Sequence, residues 1–121
     1  MNINSYRDLV VWQKAMRLVK VVYPLAQKLP KGETYALSDQ MRRAAVSISS
    51  NIAEGYKRNS TKEYIKFLSI ARESKVELQT QLIICVEMGY LMYRDIKTAL
   101  EILDEINKML TTMIKTLTSK P

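Results

Sequence analysis

Placed on a helix at 100° per residue, Gln40-Met41-Arg42-Arg43-Ala44-Ala45-Val46-Ser47-Ile48-Ser49-Ser50-Asn51-Ile52-Ala53-Glu54-Gly55 separates into two parallel stripes. Leu37, Met41, Ala44, Ala45, Ile48 and Ile52 make an apolar arc. Gln40, Arg43, Ser47, Asn51 and Glu54 line up beside it. A solvent face more usually carries Lys and Glu with freely moving ends. Two readings fit the second stripe: a half-buried polar seam with partners on another helix or another copy, or an ordinary wet face. Under both readings the apolar arc must be covered by other helices. The stretch therefore points to an all-α helical bundle that associates with itself.

The rest of the chain supplies those helices. Ser5-Tyr6-Arg7-Asp8 places a hydroxyl cap three residues before an acid, a helix start. The first helix is predicted over about 6–29, where Pro30 and Gly32 end it, with a kink near Lys20 and Val21 because Pro24 lies inside it. Its apolar positions, Trp12, Met16, Val19 and Tyr23 included, cover nearly half the circumference, wider than one core requires. The second helix is predicted over about 35–55, with Gly55 as a left-handed terminal residue. Ser60-Thr61-Lys62-Glu63 is a capping box that opens a third helix over about 61–88, stopped at Gly89. Ile96, Ala99, Leu103, Ile106, Leu110, Met113 and Leu117 keep a 3-4 spacing through a fourth helix over about 94–118, and the tail 118–121 is expected to fray. Four long helices with short connections form one domain, an up-down-up-down antiparallel four-helix bundle.

Composition narrows the chemistry. The chain has 121 residues, no histidine and a single cysteine, Cys85, set in the apolar run Leu82-Ile83-Ile84-Cys85-Val86. Neither an internal disulfide nor a thiol pair for a metal is possible, and Cys85 reads as buried and inert. Without histidine the commonest general base and metal ligand are missing, and nothing marks a carboxylate or lysine site. The reading is a non-enzyme without cofactor or metal. No apolar run reaches the roughly 18 residues that span a bilayer, and Met1-Asn2-Ile3-Asn4-Ser5 lacks the layout of a signal peptide. A cytoplasmic location is expected.

The formal charge is +7, and it is unevenly placed. Residues 1–36 hold Arg7, Lys14, Arg17, Lys20, Lys28 and Lys31 against Asp8 and Glu33, whereas residues 60–121 are nearly balanced. Lys14, Arg17 and Lys20 share an arc of the first helix with no acid on that helix beside them. Such an arc could hold phosphate, lie on anionic lipid or stay solvated. Lipid is the weakest of the three, because the apolar half of the helix is needed for the core. Tyr56-Lys57-Arg58-Asn59 is a basic turn with one aromatic ring, suited to phosphate contact and to stacking on an unpaired base.

Asp8-Leu9-Val10-Val11-Trp12-Gln13-Lys14-Ala15, the stretch 40–55, residues 63–71 and Glu77-Leu78-Gln79-Thr80-Gln81-Leu82 together resemble the bacterial four helix bundle protein family. That family includes proteins encoded within intervening sequences of large-subunit ribosomal RNA genes, and the accessory protein of diversity-generating retroelements. The resemblance spans about residues 5–115. It implies a four-helix bundle assembled into a five-fold ring, no enzymatic activity, and a role in binding nucleic acid; in the retroelement relatives the basic ring also docks onto a reverse transcriptase. Lys57 and Glu73 depart from the commonest pattern, each standing where a glycine is frequent. The leading expectation is a ring-forming homo-oligomer, a pentamer by resemblance, that binds RNA or DNA through Lys14, Arg17, Lys20, Tyr56, Lys57 and Arg58. The alternative is a scaffold that docks an acidic protein partner or a reverse transcriptase without a nucleic-acid site of its own.

Overall fold

A computed structural model describes residues 4–119. Its four long helices are α1 (Val10–Gln27), α2 (Leu37–Tyr56), α3 (Thr61–Glu87) and α4 (Tyr93–Thr118), with short 3-10 turns at Tyr6–Asp8 and Lys31–Glu33. No strand occurs among the described residues. Each helix packs on two neighbours in the cyclic order α1, α2, α3, α4. Adjacent helices run antiparallel: Met41 meets Cys85 and Ser47 meets Ser74 across α2 and α3, while Lys14 meets Glu105 across α1 and α4.

The predicted start at Ser5 exists but caps a shorter element. Ser5 Oγ accepts from the Arg7 amide at 2.9 Å, and the Asp8 carboxylate accepts from the Ser5 amide at 3.2 Å. Leu9 is then extended (φ −72°, ψ 126°), so α1 begins only at Val10. The one helix expected over 6–29 is a 3-10 turn, a break and an α-helix ending at Gln27, with Leu29 buried just beyond it. Pro24 does not end α1. It is exposed in the last turns, and the carbonyl its missing N–H leaves free, that of Lys20, lies on a residue facing solvent.

The expectation for Gly55 is corrected. It lies inside α2, which runs on to Tyr56, and the one positive-φ residue among those described is Gly89 (φ 75°). Gly55 is instead a point of close approach, since a Cβ there would stand 2.8 Å from Phe67 Cβ. Gly89 does end α3 as the sequence suggests, its left-handed backbone letting Tyr90 and Leu91 donate back to the Cys85 carbonyl. Ser60 Oγ caps α3 through the Glu63 amide at 3.1 Å, and the Asp95 carboxylate caps α4 through the Met92 amide at 2.8 Å. The tail expected to fray falls partly outside the described residues, at 120–121; Thr118 is still helical.

The core follows the predicted spacing. Met41, Ala44, Ala45, Ile48 and Ile52 of α2 are buried, as are Ile96, Ala99, Leu103, Ile106 and Leu110 of α4. Ala15, Leu18 and Val22 of α1 and Leu68, Ala71, Leu78 and Leu82 of α3 close the centre. Cys85 is buried and donates to Met41 Sδ at 3.5 Å; burial pushes its thiol up to about 11, with the Glu33 charge adding to the effect. At the end of the bundle holding both the α1–α2 and α3–α4 connections, Tyr90 Oη donates to Glu33 at 2.8 Å. That bond, more than burial, holds the Tyr90 hydroxyl above its ordinary range. No described helix is long and apolar enough to cross a membrane.

Candidate nucleic-acid interface

The polar stripe of α2 divides by environment. Ser47 is half-buried and shares a hydrogen bond with Ser74 of α3, 2.8 Å between hydroxyl oxygens. Asn51 Nδ2 donates to the Ser47 carbonyl at 2.8 Å and to Ser47 Oγ at 3.0 Å, completing a small satisfied network. Arg43 and Glu54 face solvent and pair four residues away along the chain, Arg43 with Asp39 of α2 and Glu54 with Arg58 of the turn that follows, each at 3.0 Å. Gln40 is exposed. The seam expected over five residues thus narrows within one chain to Ser47 and Asn51. Small side chains are required there because α2 and α3 approach closely: Ser47 on α2 meets Ser74 on α3, and Gly55 admits Phe67.

The six candidate cationic and aromatic residues do not form one surface. Lys14 is half-buried and makes an ion pair with Glu105, an α4 residue beyond the reach of a single-helix reading. The bond to Lys14, helped by the nearby Arg17 charge, holds the Glu105 carboxyl below its ordinary range. Arg17 and Lys20 are exposed on α1. Tyr56 packs edge-on against Tyr64 with ring centroids 6.3 Å apart. Burial and then the neighbouring Tyr56 raise the Tyr64 hydroxyl above its usual range. Arg58 lies over the Phe67 ring, 4.6 Å from its centroid, while its Nη2 bonds Glu54. The turn residues therefore lean on α3, the helix diagonal to α1.

Lys62 and Lys66, one turn apart at the start of α3, extend the cluster of Lys57 and Arg58. They border an open hollow of about 580 Å³ with Glu63 and Ile65. This basic corner holds four cations against Glu54 and Glu63, and the α3 N-terminus adds its partial positive charge. Phe67 and the two lysines are the residues that the sequence reading missed. Their signal was the capping box itself, which puts the next helical turns beside the basic turn. Among the described residues no group of His, Cys, Asp and Glu converges as a metal site.

A family model described as 23S rRNA-intervening sequence protein matches residues 7–112. The chain is also similar to a solved structure of a protein with unknown function from the S23 ribosomal protein family of Bacteroides thetaiotaomicron VPI-5482. The two are 26% identical, the alignment covers 88% of this chain and 99% of that one, and the TM-score is 0.81. No curated protein matches.

Proposed function

The chain belongs to the 23S rRNA-intervening sequence protein family, and from that premise we propose that it is a non-catalytic, ring-forming cytoplasmic protein that binds nucleic acid, RNA above DNA. The observation that carries this reading is the basic corner of Lys57, Arg58, Lys62 and Lys66. Arg58 is held in place by Glu54 and Phe67, so a phosphate meets a guanidinium whose orientation is already fixed. Exposed Arg17 and Lys20 supply a second, weaker patch on α1. Lys14 contributes little, because it is the more buried cation and its single ammonium group is already held by Glu105 across the bundle. The pentamer implied by the resemblance would present five such corners on one assembly and multiply their effect.

Fluorescence anisotropy with a single-stranded RNA and a DNA of the same sequence tests the reading across a salt series. If about 4–6 phosphates are neutralised, log affinity falls against log salt with a slope of roughly −3 to −5. Reversing Lys57, Lys62 and Lys66 to Glu should weaken binding and flatten that slope. Reversing Lys31, Arg94 and Lys97, which lie at the opposite end of the bundle, makes an equal change in net charge and should do much less. Equal losses would mean diffuse attraction without a site, and the scaffold reading would then take its place.

A further inference from the structure

Among the apolar surfaces that the bundle leaves uncovered, two on different helices match each other. The first is a groove between α1 and α2 of about 320 Å³, with Trp12, Met16 and Val19 on one wall and Val46, Ser50 and Ala53 on the other. It continues past Val46 into a second hollow of about 420 Å³ beside Tyr23, where Arg42 and Arg43 stand. Lys20 lies between Met16 and Tyr23 in helical spacing and is exposed. Asp39 is the single acid in that hollow, so the groove is apolar along its length and basic at one end.

The second surface is the outer face of α3. Every exposed residue from Glu73 to Met88 is apolar or acidic except Thr80. Val76 is 55% exposed and Ile83 46%, two turns apart on one line, with Ile84 and Met88 beside them. Glu73, Glu77 and Glu87 lie along one side of that line, while the partly exposed Arg72 and Lys75 stand at its Val76 end, which leaves the Ile83 end, with Glu87, as the acidic one. A β-branched ridge with a glutamate at one end is an unusual face for a bundle helix to give to water.

We infer that these surfaces bind each other between copies: the Val76–Ile83 ridge of one chain lies in the Trp12–Val46 groove of the next. Three features fit. The seven-residue step from Val76 to Ile83 equals the step from Trp12 to Val19, about 10 Å on either helix. The small residues Ser49, Ser50 and Ala53 leave room for branched side chains to enter. With Val76 at Trp12 and Ile83 at Val19, Glu87 falls at the end of the groove where Lys20, Arg42 and Arg43 stand, so charge as well as shape is complementary. Ridge and groove do not overlap, so one chain uses both at once. The contact is head-to-tail, the kind that closes a ring instead of stopping at a pair. This inference rests on the self-assembly proposed above and adds which faces carry it.

The experiment uses two full-length variants that each disable one surface. Val76→Asp with Ile83→Asp charges the ridge, and Ser50→Arg fills the groove; all three positions are solvent-exposed, so the core is untouched. Light scattering after size exclusion, with circular dichroism to verify folding, should find the wild type as an oligomer and each variant as a monomer. An equimolar mixture of the two should form a heterodimer that grows no further, because it retains one intact ridge and one intact groove. A monomeric wild type would overturn both the assembly reading and this inference. An oligomeric wild type whose variants remain oligomers, or whose mixture stays monomeric, would overturn this inference alone. If the ridge variant loses helicity, Glu87→Arg replaces it. It should dissociate the assembly, and adding Arg42→Glu with Arg43→Glu should restore it; failure of both effects overturns the inference.

Discussion

Replacing Gly55 with alanine should weaken the fold, against the usual rule for helices. Inside a helix with free space around it, this change stabilises by roughly 0.5–1 kcal/mol, because glycine gives up the most backbone freedom on folding. At Gly55 the new Cβ would stand 2.8 Å from Phe67 Cβ, 3.0 Å from Tyr64 Cδ1 and 3.3 Å from the Tyr64 carbonyl oxygen. Carbon atoms rest at about 3.5–4.0 Å, and two of these neighbours are backbone or fixed directly to it. No rotamer change relieves the contact, so α2 and α3 must part by at least ~0.7 Å at this level. Overpacking of that kind costs about 1–3 kcal/mol. After the propensity gain the net loss should be about 1–2 kcal/mol, a fall in Tm of roughly 3–10 °C for a domain of this size. Urea denaturation followed by far-ultraviolet circular dichroism measures it as a lower midpoint at unchanged slope. Gly32→Ala is the control, since no heavy atom lies within 4 Å of its Cβ position; it should be neutral or gain up to ~1 kcal/mol. If Gly55→Ala is as stable as Gly32→Ala, the close approach of α2 and α3 is not what the structure shows.

Ile106→Ala, at a wholly buried position of α4, should cost about 2–5 kcal/mol in the same assay, and a loss under ~0.5 kcal/mol would mean that α4 faces another way. Glu105→Gln should remove an acid-dependent part of stability. Because Lys14 lowers the Glu105 carboxyl from 4.5, the wild type's advantage is full above that value and fades as pH falls through the lower folded one. A variant whose deficit stays constant from neutral to strongly acid pH would refute the ion pair's role. Cys85, raised to about 11 and buried, should resist a thiol reagent at pH 8 until denaturant is added; rapid labelling of the native protein would contradict its place against Met41.

Helix existence and core positions were legible because they depend on spacing along one helix. The buried set Ile96, Ala99, Leu103, Ile106 and Leu110 is the apolar periodicity of α4 and nothing more. Features that need two helices were not legible. Lys14 reads as a free cation until Glu105, 91 positions away, is set beside it. Gly55 reads as a stop because a glycine after a helical pattern usually is one; only the position of Phe67 shows that it serves packing. The polar stripe had the right composition for a seam, but Arg43 and Glu54 are long enough to reach partners four residues away along the chain, and only Ser47 is short enough to need one across the gap. Arg58 was noticed for its charge, while the ring that orients it lay nine residues further on.

The close contact of α2 with α3 also bears on how the chain finds its fold. The two are joined by residues 57–60 alone and share the most extensive packing in the molecule. Their pairing closes a short loop and loses little chain entropy, whereas the contact of α1 with α4 spans most of the sequence. The α2–α3 hairpin is therefore expected as the kinetic nucleus, with the outer helices docking onto it and Lys14 meeting Glu105 last. In a chevron analysis, substitutions around Ser47, Gly55 and Ser74 should slow refolding, while those at Glu105 should chiefly speed unfolding.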